Sequence, residues 1–358
     1  MRRWAKAACI AVAASVLATG CAGRAIQIGF GDPPPEIPLA EPGEARYQAA
    51  LAEGTLTWYA AWYDLEQTER AAELFEQTYP GIDVQVLRQS SGRVYQRFLQ
   101  ESDARQFTAD VLSLGDQSLA FDLRDRGDLA RFTPEGVDHL LPQYRDLDPE
   151  GYLHVAGAAH VVITYNPNLV PENEVPRTWS GLLDPRWSGQ IAASHPAANG
   201  YASAWATAMV DRYGEHYLER LAQQNVLVGQ SIADTLPRVA GGERQVGISG
   251  SSSAATQMRE GSPIRLVYPE DGAVLIRSVL AIPVNAPHPN AARLFADFIY
   301  GEVYNRDFVE AQQFAPFTDL SAPPPYVPEG MTEISLPQQK LTDELLPVID
   351  LWRRDFGA

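Results

Sequence analysis

From residue 55 to residue 114 the chain alternates short apolar runs with segments of helical period, and this alternation constrains the fold more than any other feature. Leu56 to Ala60 has the makings of a strand. Glu66 to Tyr79 places Ala71, Leu74, Phe75 and Tyr79 at helical spacing, and the turn Pro80-Gly81 stops it. Asp83 to Leu87 is a second strand, Val94, Phe98 and Leu99 mark a second helix, and Ala109 to Leu114 is a third strand. Repeated strand–helix–strand units predict a parallel sheet with helices on both faces, hence an α/β fold. A second series contains the strand His160 to Tyr165, the helix Ala202 to Val210 and the strand Val246 to Ser249. Ala273 to Pro283 is again apolar, and helices are expected over Asn290 to Tyr300 and Tyr304 to Gln312. After Pro323-Pro324-Pro325 a final helix lies near Leu341 to Trp352. With 358 residues there is length for two domains or one two-lobed body, and the lack of a short repeat excludes a solenoid.

The N-terminus carries a different message. Basic Met1 to Lys6, the apolar run Ala7 to Leu17 and a small-residue cluster ending in Cys21 form an export signal over residues 1–20. No later stretch of about 18 uninterrupted apolar residues exists, so the body is expected outside the bilayer. Ala18-Thr19-Gly20-Cys21 resembles the lipobox of bacterial lipoproteins, which implies acylation of Cys21 and a lipid anchor in the cell membrane. Ala18 departs from the leucine usual there, and a plain secretory signal cut nearby is the alternative. Residues 21–49 include Pro33-Pro34-Pro35 and Glu41-Pro42-Gly43 and read as an extended, acidic tether. Loss of Arg2, Arg3 and Lys6 with the signal takes the formal net charge from −17 to about −20. Such a surface repels phosphate backbones, so nucleic acid is not an expected partner. Cys9 and Cys21 are the only cysteines, which excludes a disulfide framework and a cysteine zinc site.

The order of segments resembles a known family. Leu56-Thr57-Trp58-Tyr59, Phe75-Glu76-Gln77-Thr78-Tyr79-Pro80-Gly81-Ile82 and Ala109-Asp110-Val111 are similar to the first lobe of the extracellular solute-binding proteins of ABC importers. Within that family the similar branch includes ferric-iron, phosphonate and sugar-phosphate binders. Tyr165-Asn166-Pro167, Trp179, Leu182 through Gly189, Gly242-Glu243 and His288 through Ala292 continue the match. The resemblance implies a two-lobed, type II-like periplasmic-binding-protein fold with crossing hinge strands and a ligand cleft between the lobes. Lobe one would be residues 50–155 plus 275–318, lobe two residues 160–270, and residues 319–358 a C-terminal extension ending in a helix. It further implies a permease and an ATPase as partners, a location outside the cytoplasm, and no enzyme activity or cofactor.

Three Ser/Gly-rich turns sit where strands hand over to helices: Ser90-Ser91-Gly92-Arg93, Ala198-Asn199-Gly200-Tyr201 and Ser249-Gly250-Ser251-Ser252-Ser253. Helix N-termini present unpaired N–H groups and partial positive charge, so such turns suit an anion, although each residue could equally be an N-cap. Trp62 and Tyr63 are candidates for an aromatic wall, and Asp116 for a polar contact or a cap. The expected ligand is a small organic anion: a phosphonate, a sugar phosphate or a carboxylate. The ferric pattern implied by the resemblance would put a histidine where Tyr63 stands, an acid at Gly115 or Asp116, and a tyrosine pair where Ser251 and Ser252 stand. Serine hydroxyls do not ionise near neutrality and are poor ligands for a hard trivalent ion, so no metal is expected. An exported lipid-anchored hydrolase would need a base beside one of the serines, and no motif places one there.

Overall fold

The computed structural model describes residues 39–358 except 63–64, 146, 230–233, 312, 318–323, 325 and 358. The export signal, Cys21, most of the proposed tether and Tyr63 therefore lie outside the described residues.

The described chain opens with helix α1 (Glu44–Glu53), followed by β1 (Thr55–Ala61), α2 (Leu65–Thr78), β2 (Asp83–Arg88), α3 (Ser91–Asp103), β3 (Val111–Leu114) and α4 (Gln117–Asp125). The one-turn helix α5 (Pro142–Arg145) precedes the long strand β4 (His154–Tyr165). Next come β5 (Ile191–Ser194), α6 (Gly200–Tyr213), α7 (His216–Ala222), β6 (Leu227–Gly229), α8 (Thr235–Ala240), β7 (Val246–Gly250), α9 (Ser251–Arg259) and β8 (Arg265–Val267). The chain finishes with β9 (Ala273–Ala281), α10 (Pro289–Tyr300), α11 (Glu302–Glu310), β10 (Glu333–Ile334) and α12 (Gln338–Phe356).

These strands hydrogen-bond in the order β2-β1-β3-β9-β4-β7-β5-β6, with β10 added to β9 and β8 to β4. Pairing is parallel where helices connect the strands, as in β1 with β2 and β3, and β5 with β6 and β7. Parallel neighbours need such crossovers. The exceptions are β4 and β9, which run antiparallel to each other from His154↔Leu280 to Val161↔Val274. Beyond that ladder β4 continues against β7, while β9 continues against β3. These two strands thus cross between lobes, and the α/β, two-lobed fold is as read from the sequence. Their make-up explains it: β4 is His-Val-Ala-Gly-Ala-Ala-His-Val-Val-Ile-Thr-Tyr, buried at every position but the first, as suits a strand covered on both faces.

Each lobe has its own core. In lobe one, Trp58, Phe75, Phe295 and Phe298 pack on one side of the sheet, and Tyr59, Phe98, Leu112 and Leu123 on the other. Lobe two is built around Trp179, Trp205, Tyr217 and Trp352. Asp110 fastens the start of β3 by accepting the Thr57 and His288 N–H groups at 2.7 and 2.6 Å. Burial pushes the His288 imidazole down, but the hydrogen bond and charge of Asp110 outweigh it and hold the ring above its ordinary pKa.

One boundary differs from the sequence reading, and the C-terminal segment is integral to the body. Helix α1 begins at Glu44, inside the stretch assigned to the tether, because Arg46 and Ala50 are buried against α10. The C-terminal extension is docked rather than appended: β10 extends the sheet at β9, and α12 packs on α6 and α7 with Trp352 fully buried.

Candidate functional site

The site is assembled at strand ends. β1 delivers Trp62, β3 delivers Gly115 and Asp116, and the N-termini of α3 and α4 follow β2 and β3 on lobe one. Lobe two supplies the N-termini of α6 and α9 after β5 and β7. Ser91 Oγ accepts the Gly115 N–H at 3.2 Å, joining the starts of α3 and α4. A hydroxyl that accepts in this way keeps its own proton to donate. Trp62 lies so near Gly115 that a Cβ there would be 3.0 Å from the indole. Trp62 in turn stacks on Tyr201 across the cleft, with ring centroids 5.7 Å apart and planes 19° from parallel. A Cβ on Gly250 would stand 3.3 Å from the Tyr201 ring, and one on Gly200 would stand 3.7 Å from Asp116 Cβ. One line of contacts therefore runs from Ser91 through Gly115, Trp62 and Tyr201 to Gly250, and it brings all three turns singled out in the sequence to one cleft.

Individual residues divide between capping and exposure to the cleft. Asp116 is an N-cap, its Oδ1 accepting both the N–H and the hydroxyl of Ser118 at 3.1 and 2.6 Å. Asn199 caps α6, with Oδ1 accepting the Ala202 N–H at 3.0 Å. That bond fixes the amide orientation, and the remaining Nδ2 is buried with no hydrogen-bond partner among the described residues. Ser251 is 2% exposed and its hydroxyl accepts the His160 N–H at 3.0 Å, so it serves the junction between α9 and β4. Ser252 is half-buried, while Ser253, Ser90 and Gly92 are exposed. His195 caps the turn before α6: its Nδ1 accepts the Ala197 N–H, and its ring lies 6.1 Å from that of Trp352. Among the described residues no cluster of three His, Cys, Asp or Glu side chains could hold a metal ion.

The sequence reading offered Asp116 as a contact or a cap but did not name α4, the helix it starts, which brings a fourth N-terminus to the cleft. It also missed a cavity of about 40 Å³ behind the Asp116–Gly200 contact, lined by Ser118, Ser203, Leu275 and Gln338. Nothing in the sequence placed the C-terminal helix there.

A cleft between two α/β lobes, crossed by two strands and walled by helix N-termini, defines a protein built to hold a solute. The family model for bacterial extracellular solute-binding proteins matches residues 107–333, more than half of the chain, and the protein belongs to that family. It is 23% identical over 261 residues to the probable ABC transporter periplasmic-binding protein y4fP of Sinorhizobium fredii, spanning 70% of each chain. Its fold is similar to that of iron-bound HitA from Pseudomonas aeruginosa, with a TM-score of 0.72, 22% identity, and coverage of 85% of this chain and 99% of that one. AfuA from Actinobacillus pleuropneumoniae, solved with fructose-6-phosphate, is similar at a TM-score of 0.73 and 21% identity, again over 85% and 99%. These likenesses establish the fold. Among the described residues no helix is long and apolar enough to cross a membrane.

Proposed function

We propose that this protein is the solute-binding lipoprotein of an ABC importer, which captures a small organic anion in the cleft and presents it to a membrane permease driven by an ATPase. The observation that carries the choice of an anion is the buried, unpartnered Asn199 Nδ2 beside the α4 and α6 N-termini. A buried donor left unmade costs about 1–3 kcal/mol, and an anion would both satisfy it and lie in the field of the helix ends. Ser91, Ser252, Gly200 and the Trp62–Tyr201 pair complete the proposed contacts, Ser90, Gly92 and Ser253 form its rim, and Asp116 and Ser251 hold the helix starts in place. The relatives support importer function through the y4fP name, and the sugar phosphate in AfuA supports an anionic ligand. Iron in HitA supports the competing ferric reading. Against iron, Ser251 is buried and offers only a neutral hydroxyl that accepts the His160 N–H.

A thermal-shift screen of the mature protein against phosphonates, sugar phosphates, carboxylates and ferric citrate tests the reading, because a ligand that binds only the folded state raises the melting temperature. Stabilisation by one of the organic anion classes is expected; stabilisation by ferric ion alone would replace this reading with the ferric one. For the anchor, intact mass of the mature protein should show a diacylglyceryl group on a chain starting at Cys21, absent after Cys21→Ala. An unmodified N-terminus at another residue would refute lipidation.

A further inference from the structure

A second cavity, separate from the Trp62–Tyr201 cleft wall, has about 440 Å³ of space between α4, α5, β9 and the segment joining β10 to α12. Its lining includes Gln117, Gln143, Arg277, Ser335 and Gln338. Arg277 stands on the crossing strand β9, half-buried, and makes no ion pair among the described residues. Its Nη2 donates to Ser335 Oγ at 2.7 Å, and its guanidinium lies 5.9 Å from the Tyr144 ring. The nearby carboxylate of Glu333 is engaged elsewhere, accepting His160 Nε2 at 2.7 Å and the Tyr144 hydroxyl at 2.6 Å. Gln338 keeps a buried Oε1 that has no hydrogen-bond partner among the described residues, while its Nε2 donates to Thr342.

The remaining Arg277 donors are not buried, so an anion in the cavity can take them in place of water. Carboxylates match the planar fork in bidentate fashion. The negative charge of Glu333 beside Arg277 disfavours a dianion, and the unused Gln338 oxygen calls for a donor on the same ligand. We propose that this cavity is a second binding site, for a small hydroxycarboxylate whose carboxylate pairs with Arg277 and whose hydroxyl donates to Gln338. The site touches lobe one, a crossing strand and the docked C-terminal segment, so occupation would tie these three parts together. It is independent of the ligand assigned to the cleft.

Titration calorimetry of the mature protein with lactate, and separately with inorganic phosphate, tests the assignment. Lactate should bind saturably, with phosphate weaker. Arg277→Gln should weaken lactate by about ten- to a hundredfold, as expected for loss of a charge-assisted pair. Gln143→Glu, a nearly isosteric change at an exposed rim position that leaves the core intact, should weaken it in the same direction by placing a like charge at the mouth. Asn199→Asp, in the cleft, should leave lactate binding unchanged. Absence of saturable lactate binding, tighter binding of phosphate, or lactate binding at wild-type affinity in Arg277→Gln would overturn the proposal.

Discussion

Asn199→Asp is expected to lower affinity for the cleft ligand by at least about a hundredfold while moving the unliganded melting temperature by no more than about 2 °C. The two halves of this expectation come from the two ends of one side chain. Oδ1 caps α6 through the Ala202 N–H, and aspartate caps a helix as well as asparagine does. The other end changes from a buried donor into a carboxylate oxygen. For an anionic ligand this removes a hydrogen bond to charge, worth about 1.5–3 kcal/mol, and adds a like-charge contact where water is scarce. Asn199→Ala separates the terms from the other side, since it forfeits the cap at about 1 kcal/mol of stability and the donor together. A cationic ligand reverses the sign: ferric ion would gain a carboxylate, and its affinity would rise. Calorimetry with the ligand returned by the thermal-shift screen reads all of this directly. Wild-type affinity in Asn199→Asp would remove the anion site from this part of the cleft.

The three candidate turns were legible in the sequence because each is local. A strand end followed by Asn-Gly-Tyr or Ser-Gly-Ser-Ser-Ser carries its own cap chemistry, and the structure brings those turns together through Gly115, Trp62, Tyr201 and Gly250. The crossing strands were legible only in part. His160 to Tyr165 showed as an apolar run, but the first half of β4, His154-Val155-Ala156-Gly157-Ala158-Ala159, is so rich in small residues that its apolar character did not stand out. Small side chains there let β9 and the core helices approach. The roles of Arg46, Arg277 and Glu333 were not legible at all. Each is a charged residue with a partner or a cavity more than a hundred positions away or on another element, and periodicity carries no signal for such pairings. The same holds for Ser251, which is buried at the junction of α9 and β4, where its hydroxyl accepts the His160 N–H.

Arg46 should show a large stability effect. On α1 it is 7% exposed and paired with Asp297 of α10, which is 8% exposed and also accepts the Glu135 N–H at 2.8 Å. Removing one member of a buried pair leaves the other charge uncompensated, so Arg46→Ala should cost about 3–5 kcal/mol by denaturant unfolding. Arg293, whose charge also reaches Asp297, keeps the loss towards the lower end of that range. The cost should depend on pH. Burial already raises the Asp297 carboxyl above its ordinary value, against the lowering pull of the Glu135 N–H and of Arg46. A carboxyl whose folded pKa exceeds its unfolded one favours the folded state more as the pH falls, and losing Arg46 raises the folded value further. The penalty of Arg46→Ala is therefore greatest at neutral pH and shrinks as acid neutralises Asp297. The double variant Arg46→Met with Asp297→Asn should recover to within about 1 kcal/mol of wild type, because methionine fills the volume and asparagine still accepts the Glu135 N–H. Asp297→Leu in its place would leave that amide unsatisfied and recover less. A pH-independent penalty for Arg46→Ala would mean that α1 is held to lobe one by its packing against α10 and not by this charge pair.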